Sequence, residues 1–195
     1  MRSIEPIVIP DASSQPAEYV AALLRTLGGR DPLAVLEQSP AEARRRCQEL
    51  DGRAWTAPMA PGEWSALQVV GHLFDVDVVY GFRWRLALTE EEPAYPGYDE
   101  KAWSGLARPA PQQLLDAFAA LRAANLALLR SLGEADLRRV AIHAEQGGED
   151  VQRMLDKVAG HDLAHLNQLR RTVAAVAPGG EPTTDTPSTP IGNIM

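Results

Sequence analysis

Apolar residues recur at helical spacing in several long stretches of this chain, and Pro and Gly separate these stretches. The longest stretch, residues 63–89, contains no proline. Its apolar positions form two adjacent stripes, Leu67, Val70, Phe74 and Val78 in one and Val69, Leu73, Val76 and Tyr80 in the other. Because so wide an apolar face must be covered on several sides, the pattern predicts a central helix here.

Three further stretches have the same period and recognisable end signals. Residues 40–51 follow Ser39, a suitable N-cap, and begin with Pro40 at the first helical position. Residues 110–132 carry leucines and a phenylalanine at helical spacing. Residues 149–176 open with two acidic residues, which the helix dipole favours in a first turn. Together with 63–89, these stretches predict four main helices.

The N-terminal part adds shorter elements. Residues 17–28 have helical spacing and end at Gly28-Gly29, and a short helical piece is expected at 32–37. Residues 1–16 are predicted to be irregular. We find no run of alternating apolar and polar positions that would predict a sheet.

The predicted fold class is all-α, a four-helix bundle with extra short N-terminal helices. The bundle domain is expected to span residues 17–176. Residues 91–103 form a predicted loop long enough to fold over a site, and 133–148 form a connection. The Pro- and Thr-rich residues 177–195 are predicted to be a disordered tail.

Composition narrows the classes of function. The chain has 195 residues and a net charge of -7, which disfavours binding to nucleic acid or to an anionic membrane surface. No apolar run is long enough for a membrane span, and the N-terminus lacks a secretory signal pattern. Cys47 is the only cysteine, so no internal disulfide can form. These features predict a cytoplasmic protein.

Two of the four histidines, His161 and His165, lie four residues apart within a predicted helix. Residues at this spacing share a face, so both imidazoles should point inward along one line with Met154 and Val158. Buried neutral imidazoles need partners, either ordinary hydrogen bonds or a shared divalent metal. Spacing alone leaves both possibilities open.

A metal site requires at least a third protein ligand. The candidates are His72, His143, Asp75, Asp77, Asp162 and Cys47. His72 lies in the middle of the central predicted helix, with Asp75 on the same face. Two histidines from one helix and one from another make a three-His site, a pattern typical of catalytic metals because it leaves positions open.

Five segments of the chain stand out together: PGEWSALQVVGHLFDVD (61–77), GFRWRLAL (81–88), PAYPGYDEKAW (93–103), LRAANLALL (121–129) and HAEQGGEDVQRMLDKVAGHDLAHLNQLRR (143–171). In combination they resemble the DinB-like, or YfiT-like, superfamily of metal-dependent enzymes. The resemblance implies a four-helix bundle whose metal is held at the positions of His72, His161 and His165. It implies a divalent ion, zinc or nickel before manganese or iron, and it suggests a homodimer. Asp77 stands where relatives often carry Glu.

The resemblance implies two chemistries on a small molecule: hydrolysis, or transfer to a low-molecular-weight thiol. Asp75, Asp77 and Asp162 are candidate general bases, or carboxylates that orient an imidazole. Gln168 and Arg83 are candidate pocket-lining residues; the alternative for Gln168 is packing at the bundle end, and for Arg83 a surface ion pair, which the sequence favours. The alternative is a helical bundle that binds metal or a small ligand without catalysis; a fourth protein ligand, from Asp75 or His143, would favour it.

Overall fold

The computed structural model describes residues 4–177. Within this part the helices are α1 (Pro16–Leu27), α2 (Pro32–Arg46), α3 (Ala66–Thr89), α4 (Glu100–Ser104), α5 (Pro111–Arg130), α6 (Glu134–Leu137) and α7 (Val151–Val176). A single 3-10 turn spans Gly52–Thr56. Three short strands are β1 (Ala94–Tyr95), β2 (Val140–His143) and β3 (Gly147–Asp150). The predicted tail from residue 178 onward lies outside the described residues.

Four helices, α2, α3, α5 and α7, form a bundle that encloses the core. α7 packs against α2 and α3, and α5 packs against the same two helices, so α2 and α3 lie diagonally across the bundle. α1 packs on the outside of α7. The apolar stripes of the four helices meet in two buried clusters, one around Trp84 and one around Phe118. The predicted helical fold is confirmed, and its stability rests on burying these stripes.

Helix α3 begins three residues later than the predicted stretch, because its N-terminus is fixed by a capping box. The Ser65 hydroxyl accepts a hydrogen bond from the Gln68 backbone N–H at 3.3 Å. The Gln68 side chain in turn accepts one from the Ser65 backbone N–H at 3.0 Å. These reciprocal bonds satisfy two donors that a helix start leaves unpaired.

The expected helix start at Ser39-Pro40 was wrong. The predicted pieces at 32–37 and 40–51 belong to one helix, α2, which is capped by Asp31, contains Pro40 in its interior and ends at Arg46, so the predicted helical end at 47–51 was also wrong. Proline has no N–H to donate to the carbonyl four residues earlier, that of Leu36. This carbonyl instead accepts a hydrogen bond from Arg122 Nη1 of α5 at 2.9 Å. A partner distant in sequence thus makes an interior proline tolerable.

The small three-stranded sheet was also not predicted. β1 pairs in parallel with β2, and β2 pairs antiparallel with β3, with Val140 opposite Asp150 and His143 opposite Gly147. The strands are two to four residues long, too short to show an alternating pattern, and β3 has the sequence GGED. Glu149, predicted in the first turn of the last helix, belongs to β3, and Asp150 caps α7.

Residues 4–15 contain no helix or strand, and they pack Ile9 and Ala12 against α1. Among residues 4–177, no helix combines the length and the apolar character that spanning a bilayer requires.

Gly160 sets the distance between α1 and α7. A Cβ atom built on Gly160 would lie 2.1 Å from the Leu23 carbonyl oxygen, a backbone atom that cannot rotate away. Gly160→Ala is therefore expected to push α1 off α7 and to lower the free energy of unfolding by roughly 1–3 kcal/mol. Chemical denaturation measures this change.

The matched control is Gly105→Ala, whose added Cβ would meet only the Ala102 carbonyl at 3.4 Å. This variant should unfold within about 0.5 kcal/mol of the parent protein, as surface substitutions normally do. Equal stability of the two glycine variants would contradict the tight α1–α7 contact.

Candidate metal centre

Three histidines converge in the interior of the bundle. His72 comes from the middle of α3, and His161 and His165 come from successive turns of α7. The Nε2 atoms of His72 and His161 lie 2.9 Å apart, and one ligand atom from each of the three rings lies within 4.8 Å of the others. The i, i+4 spacing on α7 and the packing of α3 against α7 bring these atoms together.

The polar atoms of this cluster are incompletely paired. His161 Nδ1 and His165 Nε2 are buried without a hydrogen-bond partner. His165 Nδ1 lies 2.9 Å from Gln168 Oε1, an acceptor, so Nδ1 carries the hydrogen and Nε2 keeps its lone pair. Buried nitrogen lone pairs without donors are costly unless something binds them. The donor set therefore fits a divalent ion that prefers imidazole nitrogen, such as zinc or nickel.

The environment keeps these imidazoles neutral. Burial lowers the pKa of His72 and His161 well below the usual value near 6.5, and neighbouring histidines lower both further. Burial also lowers the pKa of His165 to about 4. Only a neutral imidazole has a lone pair for a metal. The cluster is thus ready to bind a cation at neutral pH without first losing protons.

Two parts of the chain lie against the histidines: Trp64, which precedes α3, and the segment between α3 and α5, residues 90–110. Arg108, from the end of this segment, donates to both oxygens of the Asp75 carboxylate at 2.8 and 2.5 Å, and to the Trp103 carbonyl at 3.0 Å. Its guanidinium crosses α3 at Gly71, where an added Cβ would lie 2.8 Å from Arg108 Nε. Trp64 lies 4.9 Å from the His72 ring and stacks at 6.0 Å on His165.

Glu100 is a site residue that sequence reasoning missed. It is the first residue of α4, it is 2% exposed, and its Oε1 lies 3.9 Å from His72 Nε2. The quoted segment PAYPGYDEKAW contains it, but no spacing rule places a loop carboxylate beside a helix two elements away. The only available signal was that this loop is long enough to cover something.

The three candidate aspartates have arginine partners. Asp75 is paired with Arg108, as above. Asp77 accepts from Arg122 Nε at 2.8 and 2.9 Å, and Asp162 accepts from Arg122 Nη1 at 2.7 Å. Burial raises the pKa of Asp77 to about 6, even though Arg122 opposes the shift. The structure thus places these carboxylates in ion pairs, and within residues 4–177 none of them accepts a hydrogen bond from the three imidazoles.

The remaining candidates lie apart from the cluster or hold structural contacts. Arg83 donates to the Pro96 carbonyl at 3.1 Å and stacks over Tyr95. His143 lies on β2, where its Nδ1 accepts backbone hydrogen bonds from the following turn. Cys47 is buried, and burial raises the pKa of its thiol to about 12, so it is not a nucleophile at neutral pH.

The sequence is similar to a known protein family and to proteins named for metal-dependent hydrolysis. The family model described as the DinB superfamily matches residues 35–169. A protein of Bacillus subtilis named "Putative metal-dependent hydrolase YfiT" is 32% identical over 71% of this chain and 82% of its own length. A Bacillus licheniformis protein with the same description is 33% identical, over 70% of this chain and 81% of its own.

A solved structure extends the likeness to three dimensions. The structure of YfiT from Bacillus subtilis, which has an unusual four-helix bundle topology, superposes with a TM-score of 0.66. The match covers 72% of this chain and 84% of that one at 31% identity. All three histidines and the whole bundle except the first residues of α2 and the end of α7 fall within the family match. The chain therefore belongs to the DinB superfamily.

Proposed function

We propose that this protein is a divalent-metal-dependent hydrolase that acts on a small molecule. The observation that carries the proposal is the convergence of three neutral, buried imidazoles, two of them with unpartnered nitrogen atoms. Relatives named for metal-dependent hydrolysis support it. The ion itself is expected to be zinc or nickel, with manganese or iron as the other candidates.

The three histidines would hold the ion and leave part of its coordination sphere open, as three-ligand sites do. A bound divalent ion supplies Lewis acidity, which polarises a carbonyl or phosphoryl oxygen. Gln168 orients one ligand, because its Oε1 accepts from His165 Nδ1 and so directs Nε2 inward. Trp64 and the 90–110 segment cover the site and limit its contact with water.

Glu100 is the residue of this site best placed to accept a proton. Its Oε1 lies 3.9 Å from His72 Nε2 and also accepts a hydrogen bond from the Tyr98 hydroxyl at 3.5 Å. We assign it the role of general base, a contribution usually worth about 100- to 10,000-fold in rate. Because it sits on the covering segment, substrate entry and placement of the base are coupled in this proposal.

The test is an assay of purified protein that is stripped with a chelator and reloaded separately with zinc, nickel, manganese or iron(II). A panel of small chromogenic esters, amides and phosphoesters serves as substrate. We expect metal-dependent turnover, reduced about 100-fold or more by Glu100→Gln. Glu91→Gln, an exposed glutamate on the same segment, is the control and should leave turnover unchanged.

The same assay separates the alternatives left by the sequence. Turnover that appears only when a low-molecular-weight thiol is added, with a thioether product, would establish thiol transfer in place of hydrolysis. Metal binding without turnover under either condition would favour a non-catalytic binding module. The expectation of a homodimer stays a prediction of the family resemblance.

The hydrogen bond from His165 to Gln168 gives a prediction for metal affinity. Gln168→Leu removes the acceptor that orients the ring, and we expect the dissociation constant of the ion to rise about 10- to 100-fold. Competition with a chromophoric chelator measures it. Gln152→Leu, a glutamine on the same helix whose amide binds Asp156 instead, should leave the affinity unchanged. Equal affinities in the two variants would exclude the orienting role.

A further inference from the structure

A cavity lies on the face of α7 that points away from the histidines. It has a volume of about 610 Å³ and is lined by the end of α1, by α2 and by residues 163–170 of α7. Leu163, Asn167 and Arg170, spaced by four and three residues, line it from one stripe of α7. His161 and His165 occupy the opposite stripe, so the cavity is separate from the metal centre.

The lining of this cavity is basic in a chain that is acidic overall. Four arginines contribute to it, Arg30, Arg45, Arg46 and Arg170, against the carboxylate of Glu42. The whole chain has 26 acidic residues and a net charge of -7, but among residues 4–177 Glu42 is the one acidic residue that lines this cavity. We call these four residues the arginine cleft. A concave basic surface raises the local concentration of small anions.

Within the arginine cleft, Arg46 gives the strongest indication that an anion binds there. Its side chain is only 17% exposed, and its Nη2 pairs with Glu42 Oε1 at 2.5 Å. Its Nε and Nη1 are buried with no hydrogen-bond partner. Burial lowers the pKa of Arg46, and the charges of Arg170 and Arg45 lower it further despite Glu42. A guanidinium with two buried nitrogen atoms that make no hydrogen bond is costly unless an acceptor reaches it.

Glu42 does not neutralise the cleft. Arg45 already binds both oxygens of this carboxylate, through Nε at 2.8 Å and Nη2 at 2.7 Å. The Arg30 side chain donates to the Thr26 carbonyl at 3.0 Å, and within residues 4–177 it forms no ion pair with a carboxylate that lines the cavity. Positive charge and unused donors therefore remain in excess.

We propose that the arginine cleft binds a small organic oxyanion, a phosphate or carboxylate group on an apolar body. Guanidinium groups offer paired donors that match both kinds of oxyanion. Leu163, Leu166 and Val35 supply an apolar wall beside them. The volume falls within the range of about 300–1,000 Å³ that is usual for small-molecule sites. This site does not depend on the proposed hydrolase activity.

The test is calorimetric titration of the purified full chain with inorganic pyrophosphate and, separately, with phenylsuccinate, an apolar dicarboxylate. We expect binding of at least one probe with a dissociation constant below about 1 mM, an affinity that weakens as salt is raised. Tighter binding of pyrophosphate would identify phosphate as the preferred group, and tighter binding of phenylsuccinate would identify carboxylate.

Four variants locate the binding. Arg46→Gln and the exposed Arg170→Gln should each weaken it at least 10-fold, and Arg138→Gln, at an exposed arginine that directly follows α6, should not. His161→Ala should bind the probes as the parent protein does, because the cleft lies on the other face of α7. Absence of binding, or equal binding in the Arg170→Gln and parent proteins, would overturn the proposal.

Discussion

His161→Ala is expected to lose the metal ion and, with it, hydrolytic turnover. Its imidazole is one of three that converge, and the Nε2 atoms of His161 and His72 lie only 2.9 Å apart. Removing it leaves two ligands on different helices. Loss of a partner that merely orients a ligand costs about 10- to 100-fold in affinity, so loss of a ligand should cost more than about 100-fold. Metal content after purification without an affinity tag, together with turnover, measures the effect.

The fourth histidine provides the matched control. His143 is as deeply buried as the others but lies on β2, where its Nδ1 accepts two backbone hydrogen bonds. His143→Asn keeps an acceptor at this place and should retain both metal and activity. A His161→Ala protein that keeps full metal content, with unchanged helical circular dichroism, would show that the ion binds somewhere else.

Arg122→Met is expected to destabilise the protein by about 3–5 kcal/mol. Arg122 is 1% exposed and joins three helices: it pairs with Asp77 of α3 and Asp162 of α7, and it donates to the Leu36 carbonyl of α2. Burial by itself would lower its pKa, but the two carboxylates raise it overall, so the guanidinium stays charged. Methionine leaves two buried carboxylates without a counterion.

Two further proteins test this account by urea denaturation. Arg44→Met breaks an exposed pair with Asp116, in which the side chains are 39% and 72% exposed, and should cost less than about 1 kcal/mol. Neutralising both carboxylates in Asp77→Asn/Arg122→Met/Asp162→Asn should recover much of the stability that Arg122→Met alone loses. A triple variant no more stable than the single one would mean that packing, not charge, makes Arg122 necessary.

The helices were predictable because their stability comes from local periodicity and burial. The 63–89 stretch became α3 with a shift of three residues at its start, and Gly28 ends α1 in the left-handed conformation as expected. Pro40 misled the prediction because the group that satisfies Leu36, the Arg122 side chain, lies 86 residues away. The short strands were not predicted for a similar reason, because β1 pairs with β2 across a long sequence separation, with Tyr95 opposite His143.

In the candidate site, too, the residues placed by helical spacing were predictable and those placed by tertiary contacts were not. Helical spacing predicts that His161 and His165 share a face, and the apolar pattern of α3 predicts that His72 is buried. The partners of the aspartates could not be inferred, because Arg108 and Arg122 come from other elements. Glu100 could not be inferred either, because the path of a long connecting segment follows from tertiary contacts such as that between Arg108 and Asp75.

The most direct test of the central claim is an anomalous difference map from crystals of the protein loaded with zinc, measured at the zinc absorption edge. The account predicts one strong peak per chain, about 2.0–2.1 Å from a nitrogen atom of each of His72, His161 and His165. A map with no peak among these three side chains, or with its strongest peak at another group of residues, would contradict it.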